Sequence, residues 1–143
     1  MLGTILVVDD DANIRDTVRL VLAREGYGVL TASDGRTAIE LMASGTNSAH
    51  VCTLLCDLEM PNVGGKELIE YFRRHYPSIP IVVLSGASDS IFLNGIFQDG
   101  VCDWLRKPVA REILLAKIKT AANLFALEGS EDNPDDRANA RHT

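Results

Sequence analysis

The chain has 143 residues, the length of one ordinary domain, and its 46% hydrophobic and 24% charged residues exclude a mainly disordered chain. No apolar run approaches the ~20 residues that span a bilayer, and no basic segment precedes an apolar stretch at the N-terminus, so neither membrane insertion nor a secretion signal is expected. The net charge is −6, half of it within residues 128–143, which leaves a nearly balanced body without the basic stripe of a nucleic-acid-binding domain.

Thr4 to Val8 is a β-branched run that reads as a strand buried on both faces, and it stops at Asp9, Asp10 and Asp11. Ile14, Val18, Val21 and Leu22 follow at helical spacing, closed by Gly26. Gly28 to Ala32 is a second, shorter strand, and Ser33-Asp34-Gly35 supplies the cap of a helix carrying Ala38, Leu41 and Met42 and ending near Gly45. The pattern repeats with a strand from Val51 to Cys56 that stops at Asp57. A loop with Pro61, Gly64 and Gly65 then leads to a helix with Leu68, Ile69 and Phe72 on one face. Ile81 to Leu84 is a fourth strand ending at Ser85-Gly86, followed by a helix from about Asp89 to Gln98 whose Ile91, Phe92, Leu93, Ile96 and Phe97 exceed one buried stripe. Trp104 to Arg106 is a short fifth strand before Lys107-Pro108, and the last helix points Ile113, Leu114, Ile118, Ala121 and Phe125 toward the core.

Five strands alternating with five helices through short loops predict an α/β fold. It is a single doubly wound (βα)5 domain whose parallel sheet has the flavodoxin-like order 2-1-3-4-5. The less apolar second and fifth strands belong at its edges. Residues 1–127 form the expected domain. Residues 128–143 carry two alanines as their only apolar residues, so a disordered acidic tail or the start of a linker is expected there.

Ligands of open parallel sheets bind outside the carboxyl ends of the strands. Those ends carry Asp9 and Asp10 on the first strand, Asp57 on the third, Ser85 on the fourth and Lys107 on the fifth. Unit charges ~4 Å apart repel by about 4 kcal/mol at an effective dielectric of 20, so a carboxylate cluster of this kind calls for a proton or a cation. An all-oxygen site suits Mg²⁺, with Mn²⁺ as a substitute. A divalent ion beside an ammonium and a hydroxyl is the equipment for handling a phosphoryl group.

Four segments then resemble one family. ILVVDDD at Ile5 to Asp11, LLCDLEMP at Leu54 to Pro61, VVLSG at Val82 to Gly86 and DWLRKP at Asp103 to Pro108 are similar to the receiver domains of two-component response regulators, in order and spacing, across about residues 2–127. The resemblance implies that Asp57 is the phosphoacceptor, attacking a phosphohistidine of a sensor histidine kinase or phosphotransfer protein. It implies that Asp10, Asp57 and the Glu59 backbone carbonyl ligate Mg²⁺, with Asp9 acting through a metal-bound water. Lys107 is expected to pair with the phosphoryl oxygens, before a cis bond to Pro108. Ser85 is expected to move toward the phosphoryl group as the switch aromatic, here Trp104, turns inward and reshapes the face of the fourth helix, fifth strand and last helix. Such a phosphoacceptor switch assists its own phosphorylation and dephosphorylation and is not an enzyme acting on a metabolite. Ser85 keeps the hydroxyl of the commoner Thr, Trp104 is bulkier than the usual Tyr, and Glu59 and Ala87 flank the path of attacking water.

Rival readings are weaker. Asp9 to Asp11 as a pure helix cap explains one acid and not three. A calcium loop fails because Ile14 and Leu20 stand where Gly and the bidentate Glu belong, and Gly64-Gly65-Lys66 lacks the remainder of a phosphate loop. Three scattered cysteines suit a reduced cytoplasmic chain, with Cys52 and Cys56 as small hydrophobes on one face of the third strand. A haloacid-dehalogenase-like phosphatase with Asp9 as nucleophile and Asp11 as general acid leaves Asp57 and Met60-Pro61 unexplained. A phosphorylation-independent interaction module leaves Asp10, Asp57, Ser85 and Lys107 without a reason. The expected output is a downstream protein effector, or a C-terminal effector domain that these residues do not include. A phosphorylation-dependent dimer is a further expectation, with Asp103 and Lys117 as its intersubunit ion pair.

Overall fold

The computed structural model describes residues 2–60, 63–86 and 101–132, with the backbone alone for 127–132. In chain order the elements are β1 (Thr4–Val8), α1 (Ala12–Arg24), β2 (Gly28–Ala32), α2 (Gly35–Ala43), α3 (Asn47–His50), β3 (Val51–Asp57), α4 (Gly65–His75), β4 (Ile81–Ser85), β5 (Val101–Arg106) and α5 (Arg111–Asp132). All strand pairs are parallel and the order is β2-β1-β3-β4-β5, as the alternating pattern predicts. The predicted helix from Asp89 to Gln98 lies outside the described residues, as do Pro61 and Ala87.

Alternation along β1 and β4 sends side chains to both faces of the sheet. Leu6, Val8, Ile81 and Val83 join Ala38 and Met42 of α2 and Leu68, Ile69 and Phe72 of α4 in one cluster. Ile5, Val7, Val82 and Leu84 meet Val18 and Leu22 of α1 and Leu114, Ile118 and Ala121 of α5 in the other. The sheet is thus covered on both sides, which is why its central strands carry continuous apolar runs.

Local signals act where the sequence places them. Asp11 caps α1 by accepting from Asn13 N at 2.8 Å, Asp34 caps α2 by accepting from Thr37 N at 2.8 Å, and Gly26 turns the chain after α1 at φ +100. Several details differ from the sequence reading: Ile113, expected toward the core, is exposed, and β5 starts at Val101 rather than Trp104. The short helix α3 precedes β3, and Asn47 Nδ2 donates to Leu41 O at 2.8 Å, closing the C-terminal end of α2. The β1–β3 register jumps from Thr4↔Val51 to Ile5↔Thr53, a bulge that sets Cys52 and Cys56 in opposite clusters rather than on one face. Finally, α5 continues past Leu127 to Asp132. Gly129 costs a helix only about 1 kcal/mol, whereas Pro134 is the first residue that disfavours helix before it.

Candidate functional site

The parallel ladder aligns the carboxyl ends of all five strands. Asp9 N donates to Ala32 O at 3.1 Å, Leu58 N to Leu84 O at 3.2 Å, and Lys107 N to Ser85 O at 2.8 Å, so each strand end is fixed by its neighbour. The peptide between Lys107 and Pro108 is cis.

Asp9 is fully buried and held from several directions. Its Oδ1 accepts from Asp11 N at 2.9 Å, and its backbone carbonyl accepts from Arg15 Nη1 at 2.7 Å. Its Oδ2 lies 3.0 Å from Lys107 Nζ as an ion pair. Asp57 is 5% exposed; its Oδ2 accepts from the same ammonium at 3.1 Å and its Oδ1 from Glu59 N at 3.2 Å. Asp10 is exposed, yet one carboxylate oxygen of each of Asp9, Asp10 and Asp57 falls within 4.8 Å of the others. A cleft of about 600 Å³, lined by Asp10, Glu59, Met60 and Lys66 among others, opens beside them.

Burial is the main cause that lifts the Asp57 pKa from 3.8 to about 6; the Asp9 charge adds to it, and Lys107 and the Glu59 N–H offset part. Burial works against the Lys107 ammonium, but its bonds to Asp9 and Asp57 outweigh that and hold its pKa above the ordinary lysine value. Cys56, fully buried beneath the site, has its thiol pKa pushed up by burial with Asp57 and Asp9 adding, so it stays neutral. One ammonium thus pairs with two of three clustered carboxylates, and the excess negative charge fits a divalent cation. Mg²⁺ takes one or two carboxylates and keeps several waters, and the exposed Asp10 beside an open cleft suits that demand. Ser85 Oγ is buried and, among the described residues, has no hydrogen-bond partner. A buried hydroxyl without a partner costs roughly 1–3 kcal/mol, which an acceptor oxygen brought to this rim would remove.

The structure brings together Asp9, Asp10, Asp57 and Lys107 at one strand-end rim, with Ser85 tied to it through Lys107. Glu59 stands exposed at the cleft with its N–H on Asp57. Asp11 is drawn into capping α1, which takes away the general acid of the phosphatase reading. Trp104 is half-buried, near the edge of the sheet. Asp103 and Lys117 pair at 3.0 Å within the one chain, where the sequence reading had them bridging two subunits. The Arg15 grip on the Asp9 carbonyl has no motif of its own in the sequence; an Arg in the first turn of the helix after an acidic strand end is its signal.

The family model described as the response regulator receiver domain matches residues 5–119. The chain belongs to this family. The receiver domain is 40% identical over 116 residues to the response regulator MprA of Mycolicibacterium vanbaalenii, covering 80% of this chain and 48% of MprA. It is 37% identical over 117 residues to the CAI-1 autoinducer sensor kinase/phosphatase CqsS of Vibrio cholerae, covering 80% of this chain and 16% of that protein. A response regulator receiver domain protein from Clostridium thermocellum superposes with a TM-score of 0.82 at 27% identity, over 88% of this chain and 98% of that one. The receiver domain therefore spans about half or less of these two curated relatives. Receivers are phosphoacceptor switches that typically bind Mg²⁺, in keeping with the acidic cluster found here. Among the described residues, no helix is long and apolar enough to cross a membrane.

Proposed function

We propose that Asp57 is the phosphoacceptor of this receiver domain, and that residues 1–127 form the working unit. The observation that carries the reading is a nearly buried carboxylate gripped by Lys107 at 3.1 Å, with two further carboxylates at the same rim and a buried hydroxyl that has no partner among the described residues. In the transfer, an Asp57 carboxylate oxygen forms a bond to phosphorus as the bond between phosphorus and a histidine nitrogen of the donor breaks. The imidazole leaves with the electron pair of that bond. The product is an acyl phosphate on Asp57. Lys107, already between Asp9 and Asp57, offsets charge on the phosphoryl oxygens, and Ser85 donates its hydroxyl to one of them.

Asp10, Asp57 and the Glu59 carbonyl would hold Mg²⁺, with Asp9 reaching it through water. The ion, when bound, neutralises charge on the phosphoryl group. The donor is a sensor histidine kinase or a phosphotransfer protein. The output is a change at the face that contains Trp104, read by a protein partner or by an effector domain on a longer chain. The domain thus serves as a switch and not as an enzyme acting on a metabolite.

Intact mass after incubation with acetyl phosphate tests the assignment, with and without Mg²⁺, on wild type, Asp57→Asn and Asp9→Asn. A Mg²⁺-dependent phosphoryl adduct lost in Asp57→Asn is expected. An adduct that survives Asp57→Asn and vanishes in Asp9→Asn would move the nucleophile to Asp9.

A further inference from the structure

β5 is at the edge of the described sheet, so among the described residues the backbone groups on its outer side have no strand partner. At Trp104 both are nevertheless satisfied. Its N–H donates to Asp103 Oδ1 at 2.8 Å, and its carbonyl accepts from Lys117 Nζ at 2.6 Å. Lys117 Nζ also donates to the same Asp103 Oδ1 at 3.0 Å, which closes a small ring of bonds around one residue. The ammonium lies over the Trp104 indole, 5.4 Å from its centroid.

Two features of the fold produce this arrangement. The β4–β5 register passes from Ile81↔Val101 to Val82↔Asp103, a bulge at Cys102 that puts Trp104 against the same cluster as Val101. Lys117 arrives from the opposite face, on a helix anchored by Leu114, Ile118 and Ala121. Its side chain therefore reaches around the sheet edge to meet the indole. Because the ammonium is fixed to Asp103 and to a backbone carbonyl, it cannot follow the ring. Rotation of the indole away from the position seen here separates the cation from the π face and forfeits that attraction.

We propose that Lys117 is a positioning residue for Trp104, favouring the indole orientation seen here and so setting how readily the ring leaves it when the phosphoacceptor site is loaded. The inference rests on the receiver reading, in which Trp104 holds the switch position. A contact made in one of two arrangements shifts their balance by its own free energy. Removing the cation therefore strengthens binding of any ligand that favours the other arrangement, by about 2- to 5-fold for an attraction at a partly exposed ring.

Trp104 is the sole tryptophan of the chain, so its emission reports on the ring directly. Beryllofluoride, a phosphoryl mimic, is titrated with Mg²⁺ into the full chain as wild type, Lys117→Met and Lys117→Arg, and acetyl-phosphate adduct mass is read on the same samples. Lys117→Met is expected to shift emission before any addition and to lower the beryllofluoride midpoint about 2- to 5-fold. Lys117→Arg keeps a cation over the ring and is expected to hold the wild-type midpoint. An unchanged midpoint in Lys117→Met overturns the proposal, and so does a Lys117→Arg midpoint displaced as far as that of Lys117→Met. A wild type that forms the adduct without an emission change overturns it too, while leaving the receiver reading intact. A wild type with neither adduct nor emission change removes that reading and the proposal together.

Discussion

Asp57 is a destabilising residue in the metal-free protein, and the size of the effect follows from its surroundings. Its pKa stands at about 6 in the fold against 3.8 as the reference. A difference of that size is worth about 3 kcal/mol between the two protonation states. Below pH 3.8 both folded and unfolded chains hold the proton, so the carboxyl costs nothing. Between 3.8 and about 6 the unfolded chain releases its proton while the folded one retains it, and stability falls as pH rises. Above 6 the folded state carries the full cost. Asp57→Asn removes this titration, and it leaves one amide group mismatched against Lys107 or the Glu59 N–H, at about 1 kcal/mol. The Asn variant is therefore expected to be about 2 kcal/mol more stable at pH 7.5 in EDTA, a rise of roughly 5–10 °C in melting temperature. At pH 4.5 the two proteins should be nearly equal. Urea denaturation of both, from pH 4.5 to 7.5, measures the difference. A gap that does not change with pH would show that desolvation of Asp57 is not its source.

Further outcomes follow from the same geometry. Mg²⁺ at ten times its dissociation constant should stabilise wild type by about 1.4 kcal/mol above pH 6, and thermal melts should show a clearly smaller gain in Asp57→Asn. Lys107→Met leaves the buried Asp9 and Asp57 without their cation; a loss of about 2–3 kcal/mol at pH 7.5, shrinking on acidification, is expected in the same urea series. At Gly65 an added Cβ would overlap the Asp57 carbonyl oxygen and stand 2.7 Å from Leu58 Cα, so Gly65→Ala should cost about 2 kcal/mol and slow adduct formation. At neighbouring Gly64 the same Cβ meets only the end of Glu67 closely, and Gly64→Ala should change stability by less than about 0.5 kcal/mol. Asp11→Ala should lose about 1 kcal/mol of α1 capping while the Mg²⁺-dependent adduct still forms, which intact mass and melting curves check together.

What was legible in the sequence divides along a physical line. Asp9, Asp57 and Ser85 each follow directly on an apolar run, and in a parallel sheet a run of that kind locates its own carboxyl end; Lys107 instead follows Arg106 at the end of a mixed strand and is marked by Pro108 after it. Nothing about the partner strand is needed to place them on one rim. The two-faced burial of β1, β3 and β4 was legible for the same reason, because residues such as Val7 and Val8 cannot both face one side. What the sequence hid are features that depend on a neighbour. The bulges at Cys52 and Cys102 exist only in the pairing of β3 with β1 and of β5 with β4. A period-two count along either strand therefore assigns the wrong face beyond that point.

The Asp103–Lys117 pair shows the same dependence carried as far as function. As a pattern of charges it fits an intersubunit bridge as well as an internal one. The choice is made by the Cys102 bulge, which turns Trp104 toward the core side. That leaves the Trp104 carbonyl at the open edge of the sheet, 2.6 Å from a lysine on α5. Once Lys117 is committed to that carbonyl and to Asp103, it has two fewer donors to offer a second subunit. A dimer built on this face must then either break the ring of bonds around Trp104 or recruit other charges. Breaking it also takes the Lys117 ammonium from its place over the Trp104 indole. Any association through this edge is therefore coupled to the orientation of Trp104, whichever of the two changes first.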